Sequence, residues 1–147
     1  MFKTSAAIAG VIAILWAGPA AAQYLGNLST NPYARNSTAN PFGAGNPYAP
    51  NSVTNPNGKY GSPYSPNSVT NPYATNTPKL YDSQGKYHGK MSSNPYDPDS
   101  VSNPYGRYGN PYSPDSVNNP YGAGNPYRHD SPRNPYGSGM VIQGSDK

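Results

Sequence analysis

Twelve times between residues 31 and 136, Ser65-Pro66-Asn67 aside, the chain places Asn or Ser before a proline and Tyr, Phe or Asn after it. Proline lacks an amide hydrogen, fixes φ near about −65° and pushes the preceding residue out of the α region. With one such tripeptide every six to nine residues, no long helix and no central strand can propagate, so the chain has to be built from turns.

The tripeptides are regularly spaced. They begin at 31, 40, 46, 55, 62 and 71, and again at 94, 103, 110, 119, 125 and 134, so the second set repeats the first at an offset of 63 or 64. Steps of nine alternate with steps of six or seven. The short spacers have two forms, GAG and GKYG in the first set, GRYG and GAG in the second, with their order exchanged. The segment QYLGNLSTNPY at Gln23 returns as KYHGKMSSNPY at Lys86. These periods describe a tandem duplication of a unit of about 63 residues, with an inner repeat of 15 or 16.

Local chemistry follows from the residue types. In Asn-Pro-Tyr the asparagine oxygen is placed to accept a hydrogen bond from the amide two residues on, and the proline suits the second position of a turn. Ser or Asp before the prolines of SPNSV, DPDSV and SPDSV reads as a helix cap followed by a first-turn proline. A single helical or 3₁₀ turn is therefore expected at 50–53, 66–69, 98–101 and 114–117. Val53, Val69, Val101 and Val117 end these turns and could dock on neighbouring tyrosines. The competing expectation is a string of stiff turns without fixed tertiary contacts.

Between the duplicated sets lies KLYDSQGKYHGKMS, a hairpin in which Asp82 to Gly85 form the turn. The simple register sets Asp82 opposite Lys86, Tyr81 opposite Tyr87 and Leu80 opposite His88, leaving His88 as a surface strand residue. The opening QYLGNL lacks a preceding partner strand, and GMVIQG near the C-terminus is the candidate to supply it. Pairing within one molecule closes the body, whereas pairing between molecules gives a head-to-tail chain.

Composition bounds the chemistry. Lys3, the apolar run to Gly18, Pro19 and Ala20 to Ala22 have the three-part form of a secretory signal cleaved after Ala22. Beyond it only twelve residues are Leu, Ile, Val, Met or Phe, against 15 tyrosines, so packing is expected to be Tyr on Pro and Tyr on Tyr. There is no cysteine for disulfides, although small secreted domains commonly use them. The positive charges are scattered, which argues against nucleic acid as a partner. No glutamate is present, His88 and His129 are the only histidines, and DPDS at Asp97 lacks the remaining calcium ligands. The chain is expected to be neither an enzyme nor a metal or cofactor protein, and to have no membrane span after signal cleavage.

The combination of signal sequence, LYDSQGKY and alternating PDSV and NPYG elements resembles a group of small exported bacterial proteins that carry Asn-Pro-Tyr and Pro-Asp-Ser turn repeats and have no established activity. That resemblance implies a periplasmic or extracellular setting and no catalytic residue. The expected fold is a mostly irregular, turn-rich repeat protein with little regular secondary structure, compatible with partial disorder, with one hairpin at about 79–91 and short strands at 24–28 and 139–143. Its expected parts are a signal peptide at 1–22, repeat halves at 23–78 and 93–138, a linking hairpin at 79–92 and a terminal strand and tail at 139–147. The expected function is structural or adhesive in the cell envelope, with Tyr33, Tyr48, Tyr64, Tyr73, Tyr96, Tyr105, Tyr112, Tyr121, Tyr127 and Tyr136 contacting polysaccharide, peptidoglycan or other copies of the chain. The alternative is a disordered module that folds on a protein partner.

Overall fold

The structure is a computed structural model and describes residues 23–144. The expected signal peptide at 1–22 and the last part of the expected tail, residues 145–147, lie outside the described residues. Four strands carry the regular structure: β1 (Gln23–Leu28), β2 (Lys79–Tyr81), β3 (Tyr87–Lys90) and β4 (Met140–Gly144). Among the described residues there is no helix.

Between the strands the backbone runs as turns joined end to end. Every third amide donates to the carbonyl three residues back: Ser37 to Ala34, Asn40 to Ser37, Gly43 to Asn40, Asn46 to Gly43, and onward to Gly58. Each Asn-Pro-Tyr is one such corner, as the fixed proline φ requires. The expected helical turns at 50–53, 66–69, 98–101 and 114–117 are corrected by this pattern. Ser52 does bond to Ala49 and Ser68 to Ser65, but the next bond starts three residues later, not one, so a corner forms in place of a helix. The phase slips by one residue at Gly58–Ser62 and Gly106–Asn110, where the bond spans four residues. These are the GKYG and GRYG spacers, and the extra residue carries Tyr60 and Tyr108 inward to 0% and 8% exposure.

Successive loops of the chain are bonded backbone to backbone: Ala44 N to Arg35 O at 3.0 Å, Val69 N to Tyr60 O at 3.0 Å and Ala123 N to Pro114 O at 3.1 Å. A serine sits at the inner corner of each longer loop, at 37, 52, 68, 100, 116 and 131, none more than 4% exposed. Each accepts a hydrogen bond from the amide two residues on, such as Thr54 to Ser52 at 3.1 Å and Asn118 to Ser116 at 3.0 Å. A larger side chain at these corners would have no room.

The strands form one antiparallel sheet in the order β1-β4-β2-β3. The C-terminal strand pairs with the first one inside the same chain, Tyr24 opposite Gln143 and Leu28 opposite Met140. It also pairs with β2, which joins the central hairpin to the β1–β4 pair. At this seam Leu80 lies opposite Ile142, with Lys79 opposite Gln143 and Tyr81 opposite Val141, an arrangement that maps onto itself when the two strands are exchanged. Other contacts recur 63 residues apart, including the bridges Asn27 to Ser37 and Lys90 to Ser100.

The hairpin register departs from the simple expectation at one place. Tyr81 faces Tyr87, but Lys79 faces Lys90, so a bulge in β3 removes His88 from the position opposite Leu80. Gly89 in this bulge has φ +97°, and its counterpart Gly26 in the β1 bulge has φ +103°. A Cβ at Gly89 would lie 2.7 Å from the Asp99 carbonyl oxygen, so the bulge admits glycine alone without rearrangement.

The core differs from the expected tyrosine-on-proline packing. It consists of Leu25, Val53, Tyr60, Leu80, Val117, Ala123, Met140 and Ile142, with Leu28, Val69, Met91 and Val101 packed against it. All four turn-ending valines therefore join this cluster, and fixed tertiary contacts replace a string of independent turns. Among the described residues, tyrosine pairs occur at its margin, Tyr81 with Tyr87 and Tyr87 edge-on to Tyr108.

Candidate functional site

The tyrosines divide by local sequence. The ten that follow Asn-Pro or Ser-Pro are 87–93% exposed, as is Phe42 at 95% in the equivalent position. Tyr60 and Tyr108, from the spacers, point inward. The ring of an Asn-Pro-Tyr corner leaves the body because residue three of the turn faces away from the loop that the turn closes.

Each exposed ring stands on a fixed base. Asn31 Oδ1 accepts from Tyr33 N at 2.9 Å, and the same bond joins Asn94 to Tyr96, Asn110 to Tyr112 and Asn125 to Tyr127 at 2.9 Å. Ser62 serves Tyr64 in the same way at 3.2 Å. The other half of the asparagine amide ties neighbouring corners together. Asn40 Nδ2 donates to the carbonyl of Ala34, immediately after Tyr33, and Asn119 Nδ2 to that of Ser113, immediately after Tyr112. Gly45, immediately before Asn46, donates to Asn40 O at 2.9 Å. Successive tyrosine corners are therefore stacked neighbours.

This row continues across the chain ends. Asn31 Nδ2 donates to Gly137 O at 3.3 Å, and Gly137 immediately follows Tyr136. The bond is the same one that joins Asn40 to Ala34, so the last tyrosine corner is stacked on the first. The β1–β4 pairing makes this contact.

A second cluster was misjudged from sequence. His88 is 2% exposed, not a surface residue. Its Nδ1 lies 2.9 Å from the Asp115 carbonyl, which can only accept, and its Nε2 lies 3.0 Å from Asp82 Oδ2. Burial pushes the Asp82 carboxyl up, but the bond to His88 and the amides of Lys86 and Gln84 outweigh it and hold the carboxyl below its usual range. The expected Asp82–Lys86 charge pair is replaced: the Lys86 ammonium reaches Asp115 at 2.8 Å, where Arg107 Nε also arrives at 2.7 Å. Those two cations hold the Asp115 carboxyl low against its partial burial. Asp130 is pushed up by burial but held low overall by Ser83, whose amide and hydroxyl both donate to it, and by Arg128.

Both nitrogens of His88 are engaged, so the geometry locks the hairpin to the second repeat half. At the matching position of β1, 63 residues earlier, stands Leu25, and Gly144 of β4 packs on the Tyr60 ring where β2 has Asp82. One half thus fills this space with a phenol from its spacer and the other with an imidazole–carboxylate pair from its hairpin. Among the described residues no group of three or more His, Asp, Glu or Cys is disposed to hold a metal ion, and no helix is long and apolar enough to cross a membrane. No protein family, curated protein or solved structure matches the chain.

Proposed function

We propose that this is an exported protein of the bacterial cell envelope that binds polysaccharide through its row of Asn-Pro-Tyr rings. The supporting observation is the conjunction of exposure and rigidity: ten tyrosines at least 87% exposed, each on a corner closed by its own side-chain hydrogen bond. Large aromatic rings stay out of a core this poor in apolar residues only at a cost in lost burial. Tyrosine held in this way offers a flat apolar face and a hydroxyl with little conformational entropy left to lose on binding. Sugar rings present complementary C–H faces and hydroxyls at regular intervals. The apolar segment after Lys3 and the absence of cysteine support export without disulfides.

Co-sedimentation with purified peptidoglycan and with other insoluble polysaccharides tests the reading. Replacing Tyr96, Tyr105, Tyr112 and Tyr121 together by Ala removes four consecutive rings that make no core contact. The expected outcome is a loss of at least about tenfold in binding with an unchanged melting temperature, since stacking at four rings contributes at least about 1.4 kcal/mol. Undiminished binding by this variant, or no binding by the native chain, overturns it.

A further inference from the structure

Away from the tyrosine row, the two repeat halves leave a pocket of about 480 Å³ between them. Its lining contains pairs related by the 63-residue offset, Leu28 with Met91, Thr30 with Ser93 and Val69 with Pro132, so it lies on the seam about which the halves correspond. The volume falls in the range of small-molecule sites, and the pattern of an apolar floor with a few polar groups is the usual one for them. Val101 and Val117 complete the floor.

We propose that this pocket binds a free single-chain aliphatic carboxylate. Two observations select that chemistry. Ser93 Oγ is the one buried side-chain polar atom among the described residues found without a hydrogen-bond partner, and Ser93 lines this pocket. A buried hydroxyl without a partner is a donor awaiting an acceptor. The only charged residue in the lining is Arg133, and no carboxylate lines the pocket to neutralise it. Arg133 is held in place by Nε donating to Val117 O at 3.0 Å and Nη2 donating to Asn118 Oδ1 at 3.3 Å, which leaves Nη1 unengaged. Asn118 is itself fixed by bonds to the carbonyls of Val101 and Gly109. An oriented guanidinium with a free edge matches a carboxylate head group. At the symmetry-related position the first half has Thr70, so the pocket is cationic at one end only and the ligand enters with a single polarity.

The test is calorimetric titration of the full chain with decanoate, below its micelle-forming concentration, and with decanol. Methyl resonances of Met91 and Val101 are followed in parallel. The expected result is saturable one-to-one binding of decanoate with shifts at both residues. Arg133→Gln should weaken decanoate about tenfold and leave decanol unchanged, since one charge-assisted contact is removed. Because Arg133 is exposed, that variant keeps the fold. Absence of saturable binding, equal weakening of both ligands in Arg133→Gln, or binding without shifts at Met91 and Val101 overturns the proposal. A preference for acyl chains held in anionic vesicles over free decanoate overturns it too. None of these outcomes bears on the tyrosine row.

Discussion

Asn119 carries two separable interactions, and removing them one at a time measures what holds a tyrosine corner in place. The side chain is 8% exposed for the residue as a whole; its Oδ1 accepts from Tyr121 N at 3.0 Å and its Nδ2 donates to Ser113 O at 2.9 Å. Each bond contributes a net of about 0.5–1.5 kcal/mol. Asn119→Ala loses both, a destabilisation of about 2 kcal/mol. Asn119→Ser keeps an acceptor, as Ser62 does for Tyr64, and loses the donor, so it should cost about half as much. For a domain of this size about 1 kcal/mol corresponds to about 4 °C, which predicts melting temperatures lowered by about 8 °C and about 4 °C. Tyr121→Ala is the control: the ring is 92% exposed and its removal should shift stability by less than about 0.5 kcal/mol. Urea unfolding followed by near-ultraviolet circular dichroism of the buried tyrosines supplies the three values. If Asn119→Ser is as damaging as Asn119→Ala, or if both match the native chain, the side-chain ladder does not set the geometry of the row.

Acid should unfold the protein through its carboxylates. Asp82, Asp115 and Asp130 all titrate below the ordinary value of 3.8 in the folded state, so the unfolded chain takes up protons first as pH falls. Their stabilisation is complete above that value and is lost as pH drops through the lower folded values. Asp115→Asn should therefore flatten the acid limb of a stability profile, and an unchanged limb would show that its bonds to Lys86 and Arg107 carry no net stability. A circular permutant provides a further check on the β1–β4 closure. Linking Gly144 to Gln23 through Ser-Gln-Gly and opening the chain between Ser83 and Gln84 copies the central hairpin onto the chain ends. It should unfold cooperatively within a few degrees of the native chain, and loss of cooperativity would show that the ends do not meet.

Much of this arrangement was legible because turn chemistry is local. Asn-Pro-Tyr specifies its own corner within three residues, so the fixed backbone at Tyr33 or Tyr127 could be read directly. The pairing of the two terminal strands was also readable, since QYLGNL repeats a strand whose partner is visible in the central hairpin. His88 was not readable. Its burial depends on the Asp115 carbonyl, 27 residues away, and on a bulge that turns it off the simple register. The expected helical turns failed for a related reason: capping chemistry at Ser65-Pro66 is the same for a helix and for a lone corner, and the choice falls to the next proline. The inner serines gave no sequence signal beyond their recurrence, because a small hydroxyl residue reads alike in an exposed turn and in a crowded one.

The seam between β2 and β4 has a consequence for a chain half this long. Leu80 and Ile142 face each other across an edge that each strand presents identically, the form of contact by which two copies of one subunit join around a twofold axis. A single unit of about 63 residues would carry one such edge and one unpaired opening strand, each complementary to a second copy of itself. Expressed alone, a half-length polypeptide should assemble as a symmetric dimer, and the full chain is then that dimer with its two subunits fused into one gene product.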